Sequence, residues 1–295
     1  MNFPSRQTFN FSARREATLA PADSILALEP VDLWGLTNDV QDLIYRPHTT
    51  RRMQPNLKIV HIGADDLLVK SNYGETQRFS PADLSIPGDA EATMPSLIEA
   101  VKMELTPARQ SQIAARGQKL AQTSARFLDQ ARSDCVYGWD ASPVAVARTV
   151  MEVWDAIREE DWTLASETQF LSDWPHRLWD ISKPHNWIGG SGAQGIGYNA
   201  PAALGAALAN KSKGRITVSI NGDGDLMMSN GVLWTAAHHQ IPLLMLVHNN
   251  RAYHMEVMHV TRMADRRSRD PSRVKIGTHI SEPNIDYATL AKSMG

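Results

Sequence analysis

The sequence has few of the features that mark secreted, membrane-spanning or nucleic-acid-binding proteins. Its single cysteine, Cys135, excludes a disulfide framework within the chain and fits a reducing cytoplasm. No apolar run approaches the roughly 18 residues that a membrane-spanning helix needs. The net charge is −2 with both signs interspersed, which gives no electrostatic footprint for nucleic acid or an anionic membrane. We therefore expect a cytoplasmic protein without either partner, and 295 residues suggest about two domains.

A dinucleotide fingerprint is also missing. Residues 20–105 have an α/β rhythm in which no GxGxxG follows a predicted strand, so nucleotide binding there is unsupported. Short strands are predicted at 24–28, 58–62 and 82–86, followed by a helix over 90–104 that Asp89 caps. The glycines between 189 and 197 stand in the wrong order for the same fingerprint, and no acidic residue follows at the expected distance.

The most informative stretch runs from residue 215 to 256 and predicts a βαβ unit. A β-branched run at 215–220 predicts a buried strand that ends in a Gly-Asp-Gly turn. Helical spacing of apolar residues follows at 226–239, and 241–247 predicts a second buried strand that ends at Asn249-Asn250. Parallel strands joined in this way have their carboxyl ends at one edge of the sheet, where ligands of open α/β sheets bind. Asp223 and Asn250 should therefore face each other.

The chemistry of that pair indicates a magnesium site. One carboxylate, one amide oxygen and a free backbone carbonyl make a hard set of oxygen ligands. Such a set suits Mg²⁺ that takes its remaining ligands from phosphate oxygens and water. A lone Gly-Asp-Gly turn or a lone Asn-Asn pair is common in structural turns, but their combination around a βαβ unit favours a binding site.

The spacing of these two motifs resembles a known cofactor fingerprint. Gly-Asp-Gly, then residues 225–248, then Asn-Asn is similar to the pattern of thiamine-diphosphate-dependent enzymes of the acetolactate synthase and benzoylformate decarboxylase superfamily. The resemblance implies that Asp223, Asn250 and the main-chain oxygen of Ala252 bind Mg²⁺. It also implies that the cofactor's diphosphate lies over the two turns, in contact with Gly222, Gly224, Asp225 and Tyr253.

Two further segments take cofactor-binding roles under the same resemblance. Glu167 and Thr168 follow a strand predicted at 162–166, where the family places polar residues close to the cofactor. The segment Gly195-Ile196-Gly197-Tyr198 matches a loop of benzoylformate-decarboxylase-like enzymes that holds the aminopyrimidine ring. There Ile196 would wedge the cofactor into its bent conformer, with an ordinary core residue as the alternative, and Gly195 would belong to the same cofactor-binding segment. The carbonyl of Gln194 would accept from the ring's 4′-amino group.

The resemblance implies an α/β fold with two domains. Residues 1–132 are expected to form part of a Rossmann-like central domain with a connecting helix. Residues 133–295 are expected to form a three-layer, parallel-sheet domain that binds thiamine diphosphate and is truncated at its carboxyl end. Some members of the family hold FAD in the central domain, but no motif supports FAD here.

The implied activity is decarboxylation of a 2-oxo acid or carboligation, as a lyase or a transferase, in a homo-oligomeric enzyme, dimer or tetramer. Which 2-oxo acid reacts is not indicated. In the family a glutamate from an amino-terminal domain activates the cofactor, and no segment of this chain matches that domain, so we expect the isolated chain to be inactive. Catalytic residues stay unassigned, with Glu167 and His254 as weak candidates. The alternatives are a non-catalytic cofactor-binding module and one subunit of a split enzyme.

Overall fold

The computed structural model describes residues 3–14, 16–30, 32–41, 48–64, 80–190 and 195–295. The chain divides into two compact units, one of Phe11–Ser124 and one of Met1–Asn10 with Ala125–Gly295. The boundary falls inside one long helix, Pro107–Cys135. The domain limits expected from the sequence, 1–132 and 133–295, stay a prediction.

The unit Phe11–Ser124 holds two small sheets. Its strands are β1 (Ser24–Leu28), β2 (Asn38–Gln41), β3 (His48–Arg51), β4 (Lys58–Ile62) and β5 (Leu84–Ile86), and its helices are α1 (Glu16–Leu19), α2 (Leu33–Thr37), α3 (Ala90–Met103) and the first part of α4 (Pro107–Cys135). A parallel sheet has the order β1-β4-β5, and β2 and β3 form an antiparallel pair.

The sequence predicted most of this unit. The strands expected at 24–28 and 58–62 are confirmed at both ends, and the third begins at Leu84 instead of residue 82. Helix α3 begins after Asp89, whose carboxylate accepts a hydrogen bond of 2.8 Å from the amide of Ala92 as predicted. The antiparallel pair of β2 and β3 was not predicted, because its short polar strands carry no alternating apolar signal.

The second unit is built on a four-stranded parallel sheet in the order β7-β6-β8-β9. Its strands are β6 (Trp162–Ala165), β7 (Trp187–Ile188), β8 (Ile216–Gly222) and β9 (Leu244–His248), and its helices are α5 (Val146–Ile157), α6 (Trp174–Leu178), α7 (Asn199–Lys211), α8 (Asp223–Met227), α9 (Val232–His238), α10 (His254–Arg266) and α11 (Tyr287–Ser293). No helix in the described part of the chain is long and apolar enough to cross a membrane.

The connection between β8 and β9 differs from the predicted single helix at 226–239. The chain forms two short helices, α8 and α9, which are separated at residues 228–231. Ser229, Asn230 and Gly231 occupy the break and favour turns over helix interior because their side chains, or the lack of one, support non-helical backbone. The strands on either side are parallel neighbours, so the predicted βαβ topology is confirmed.

A cluster of tryptophans fills the core of this unit beside the sheet. Trp154, Trp162 and Trp179 meet at ring-centroid distances of 5.4 to 5.6 Å, and Trp179 is fully buried. The indole nitrogen of Trp179 donates to the carbonyl of Val150 at 3.2 Å, which satisfies its one polar atom. Ser5 pins the amino-terminal residues to the same core through a hydrogen bond of 2.7 Å from its hydroxyl to the carbonyl of Trp179. Packed tryptophan rings therefore support this side of the sheet.

One polar side chain ties helix α7 to the sheet. The amide nitrogen of Asn210 donates to the hydroxyls of Thr163 on β6 and Thr217 on β8, each at 3.0 Å, and all three residues are buried. We predict that Asn210→Ala lowers the free energy of unfolding by about 1–3 kcal/mol, because it removes both bonds and leaves buried hydroxyls behind.

Chemical unfolding followed by tryptophan fluorescence checks this prediction. Leu208→Ala is the matched control, since Leu208 lies on the same helix with 58% exposure and should change stability by less than about 0.5 kcal/mol. Equal unfolding midpoints for the two variants would contradict the bridging role of Asn210.

Candidate cofactor site

Two of the predicted metal ligands, Asp223 and Asn250, lie at one edge of the four-stranded sheet. Strands β8 and β9 are adjacent and parallel, with Gly222 in register with His248. Asp223 directly follows the first of these strands, and Asn250 comes two residues after the second. The sheet therefore brings both residues to the same edge, as the sequence predicted.

The carboxylate of Asp223 is the most unusual group of this edge. Asp223 is 1% exposed, and neither carboxylate oxygen has a hydrogen-bond partner among the described residues. Burying an unpaired carboxylate is costly, so such a group is normally paired or bound to a metal. Within the described residues there is no cluster of three His, Cys, Asp or Glu side chains that could hold a metal. A cation at Asp223 must therefore take its other ligands from amide, carbonyl or cofactor oxygens.

Asn221 is a second buried polar residue near Asp223, and no sequence pattern singles it out. It lies two residues earlier, near the end of β8, is 0% exposed, and its side-chain nitrogen has no partner in the described structure. Its oxygen accepts a hydrogen bond of 3.2 Å from the hydroxyl of Ser219. Every position of β8 from Thr217 to Asn221 is buried, so an alternation of polar and apolar residues could not have pointed to it.

The turn after β9 contains the other two oxygens that are predicted to bind the metal, those of Asn250 and Ala252. The side-chain oxygen of Asn250 accepts from the amide of Ala252 at 2.9 Å, which closes an Asx turn, and Arg251 between them has a φ of 61°. Ala252 is paired with His279 in an antiparallel bridge. The hydrogen bonds beside that bridge use the carbonyl of Arg251 and the amide of Tyr253, each at 2.8 Å, and not the carbonyl of Ala252.

Two tyrosines and a histidine surround Asp223. The hydroxyl of Tyr287 lies 3.5 Å from the main-chain oxygen of Asp223. Burial, followed by the charge of Asp223 and by Tyr253, raises the pKa of Tyr287 to about 12, so that hydroxyl keeps its proton. Burial lowers the pKa of His248 below its ordinary value, and the charge of Asp223 only partly opposes this shift. A neutral imidazole therefore leaves the negative charge of Asp223 for another cation.

The glycine-rich loop, of which residues 195–198 are described, contacts helix α8 at Gly197. The amide of Gly197 donates to the carboxylate of Asp225 at 2.5 Å, and the hydroxyl of Ser229 donates to the carbonyl of Gly197 at 3.2 Å. Ile196 is 56% exposed, so it is not an ordinary core residue. Its role as a wedge stays a prediction. Gly195 is described and exposed, whereas Gln194 lies outside the described residues.

Glu167 and Thr168 follow β6, the neighbour of β8 in the sheet. The amide of Glu167 donates to the side-chain oxygen of Asn199 at 2.7 Å, and its side chain packs against Gly190. The hydroxyl of Thr168 is buried and donates to the carboxylate of Asp173 at 2.7 Å, which stabilises the following turn. Their predicted contacts with a cofactor stay predictions. His254, the other catalytic candidate, is exposed at the first position of α10.

The Gly-Asp-Gly turn is packed closely on one side only. A Cβ atom on Gly224 would lie 2.6 Å from two ring carbons of Tyr253, whereas one on Gly222 would have nothing within 4 Å. We predict that Gly224→Ala lowers the free energy of unfolding by about 1–3 kcal/mol through overpacking. Gly222→Ala should be nearly neutral, because its extended backbone accepts a side chain.

Thermal unfolding of the two glycine variants in metal-free buffer tests this contact. The double variant Gly224→Ala/Tyr253→Ala should lose less stability than the sum of its single variants, since the smaller side chain removes the clash. Equal losses for Gly222→Ala and Gly224→Ala would show that Tyr253 does not lie over this turn.

Asp223 and Asn250 thus form a candidate metal site, with one carboxylate, at the edge of the parallel sheet of an α/β domain. Residues 170–295 match the family model of the thiamine pyrophosphate enzyme, C-terminal TPP binding domain. Residues 170–295 are thus similar to the cofactor-binding domain of the thiamine-diphosphate-dependent enzymes, in agreement with the resemblance found in the sequence.

Curated relatives are similar over parts of their length. A probable acetolactate synthase large subunit of Methanocaldococcus jannaschii is 24% identical over 251 residues, which cover 83% of this chain and 38% of that protein. Isozyme 1 large subunit of the acetolactate synthase of Escherichia coli K12 is 34% identical over 79 residues, which cover 27% of this chain and 14% of that protein. The chain therefore spans less than half the length of the curated relatives it matches.

Solved structures show the same fold. A thiamine diphosphate-dependent 4-hydroxybenzoylformate decarboxylase from Rhodococcus jostii RHA1 aligns with a TM-score of 0.54 at 19% identity, over 95% of this chain and 44% of that one. Benzoylformate decarboxylase from Polynucleobacter necessarius aligns with a TM-score of 0.56 at 16% identity, with the same coverage of both chains. The predicted α/β class with parallel sheets is confirmed.

Proposed function

We propose that this chain binds thiamine diphosphate together with Mg²⁺ and serves in an enzyme that decarboxylates a 2-oxo acid or joins it to a second carbonyl compound. The observation that carries the proposal is the buried carboxylate of Asp223, which has no partner among the described residues. A divalent cation is the partner that fits an oxygen-only site of this kind. The proposed metal ligands are Asp223, Asn250 and the main-chain oxygen of Ala252.

The residues of the chain hold and orient the cofactor. The diphosphate would lie over the start of α8, where the amides of Gly224 and Asp225 are free of strand pairing and could donate to phosphate oxygens. Tyr253 covers Gly224 and closes the turn from the side. Ile196 would support the bent conformer, and Gly195 would permit close approach of the ring. The bound cofactor supplies the electron sink that 2-oxo acid decarboxylation requires.

The acid-base part of the reaction needs a carboxylic acid near the aminopyrimidine. Glu167 is the acid that follows β6 at the same sheet edge, and it is half-buried against Gly190. It lies in the same unit as the metal turn, whereas the activating glutamate of similar enzymes comes from a separate domain. We therefore propose that the chain alone binds cofactor without sustained turnover, and that a homo-oligomer or a separate pyrimidine-binding domain completes the enzyme.

Calorimetric titration with thiamine diphosphate tests cofactor binding. We predict tight binding to the wild type with Mg²⁺ and at least about tenfold weaker binding without it, because the diphosphate would then meet the charge of Asp223 unscreened. Asp223→Ala should remove the dependence on Mg²⁺. Equal affinities with and without the metal, for both proteins, would refute the proposed site.

The metal-free protein offers a test that needs no cofactor. We predict that Asp223→Asn raises the free energy of unfolding by about 1–3 kcal/mol in buffer with chelator, because a neutral amide costs less to bury than an unpaired carboxylate. With saturating Mg²⁺ and thiamine diphosphate the order should reverse, since the wild type gains about 4.1 kcal/mol at a ligand concentration of about 1,000 times its Kd.

Asp140→Asn is the matched control for this substitution. The side chain of Asp140 is 92% exposed, so loss of its charge should change stability little in either buffer. If Asp223→Asn were destabilising without metal, the buried carboxylate would have a partner that the proposed site does not allow for.

Carbon dioxide release from pyruvate or benzoylformate tests the catalytic part. We expect the purified chain with Mg²⁺ and thiamine diphosphate to release no more than one equivalent. Sustained release that Glu167→Gln abolishes would make Glu167 the activating acid. It would also remove the need for a second polypeptide.

A further inference from the structure

Three contacts hold Gly197 of the glycine-rich loop against helix α8 and the turn that follows it. The carboxylate of Asp225 accepts the Gly197 amide at 2.5 Å, and the hydroxyl of Ser229 donates to the Gly197 carbonyl at 3.2 Å. Met228 packs beneath, because a Cβ atom on Gly197 would lie 2.8 Å from that of Met228. Residues of α8 and of the turn that follows it therefore contact the amide, the carbonyl and the α-carbon of Gly197.

The backbone of Gly197 needs such support. Its φ is 92°, in the region that only glycine adopts readily, and glycine loses more conformational freedom on ordering than other residues. A hydrogen bond to an ionised carboxylate is stronger than one between neutral groups. Asp225 therefore supplies one of the strongest contacts that could keep this loop in one conformation.

The charge of Asp225 argues against a direct role at the diphosphate. Asp225 lies two residues from Asp223, so a second carboxylate aimed at the same anion would repel it. One oxygen of Asp225 is instead occupied by Gly197, and the other is buried without a partner in the described structure. The side chain faces the loop, and only its main-chain amide is left for phosphate.

We propose that Asp225 is a positioning residue that links the metal-binding turn to the loop for the aminopyrimidine ring. This inference rests on the proposed function. The Asp225–Gly197 bond holds Gly195 and Ile196 at a set distance from the diphosphate turn before any cofactor arrives. Binding of the complete cofactor then requires no ordering of the loop, and preorganisation of this kind raises affinity.

Two probes separate the ends of the cofactor: magnesium pyrophosphate, which has no ring, and magnesium thiamine diphosphate. Asp225→Ala should bind magnesium thiamine diphosphate about ten- to a hundredfold more weakly than the wild type, because it loses a charge-assisted hydrogen bond. Its affinity for magnesium pyrophosphate should change by less than about threefold, since the amides of the turn remain. Asp225→Asn keeps an oxygen acceptor for the Gly197 amide and should restore most of the lost affinity.

Amide hydrogen exchange of the metal-free chain gives a readout independent of the cofactor. Exchange at Gly197 should be faster in Asp225→Ala and close to wild type in Asp225→Asn. Ser229→Ala is a milder variant, because it removes only the hydrogen bond to the carbonyl of Gly197. Isothermal titration of all four proteins with both probes completes the comparison.

Equal loss of affinity for both probes would place Asp225 at the diphosphate and overturn the proposal. Unchanged exchange at Gly197 in both Asp225→Ala and Ser229→Ala would overturn it as well. If the wild type bound neither probe, the cofactor function itself would fail, and exchange at Gly197 would still decide whether Asp225 holds the loop.

Discussion

The carboxylate of Asp223 is 1% exposed at the end of β8. Its need for a partner is the constraint on which the rest of the site depends. Other polar groups on this strand find partners within the protein: the hydroxyl of Ser219 donates to the carbonyl of Ala165 at 2.9 Å, and the amide of Ile220 donates to Ser166 at 2.7 Å. Asp223 and the side-chain nitrogen of Asn221 differ, because neither has a partner in the described structure. A well-packed sheet can retain groups of this kind at a cost in stability, and functional sites are where such costs are found.

The environment of that carboxylate increases its attraction for a cation. Tyr253 covers the turn at Gly224, and Tyr287 approaches the backbone of Asp223 with a hydroxyl whose pKa is raised to about 12. Asp223 itself is buried, and a lower local dielectric strengthens the interaction between its carboxylate and a divalent ion. The lowered pKa of His248 removes a competing positive charge from the same edge. Metal binding and cofactor binding are thus expected to depend on one another.

The sequence was informative where the pattern is local. The ends of β1 and β4, the cap at Asp89 and the order of β8 and β9 follow from apolar runs bounded by turn residues. The spacing of Gly-Asp-Gly and Asn-Asn predicted that Asp223 and Asn250 share one edge of the sheet, because parallel strands bring their carboxyl ends together.

Other features depend on contacts between distant parts of the chain and leave no local pattern. The break between α8 and α9 accompanies the bond from Ser229 to Gly197, and the role of Asp225 appears only when that loop is placed beside α8. The charge-rich run at 262–275 favours a solvated loop, yet Arg262 and Arg266 lie in α10, where helix-favouring residues outweigh the charge pattern. Asn221 could not be singled out, because a polar residue in a strand usually faces solvent.

The location of the metal ion tests the central claim most directly. Crystals of the chain grown with thiamine diphosphate and Mn²⁺ in place of Mg²⁺ would reveal the ion by its anomalous scattering. The account predicts one ion about 2.0–2.3 Å from oxygens of Asp223, Asn250 and Ala252, with phosphate oxygens completing an octahedral shell. Bound thiamine diphosphate with no ion at Asp223, or an ion held by other residues, would contradict it.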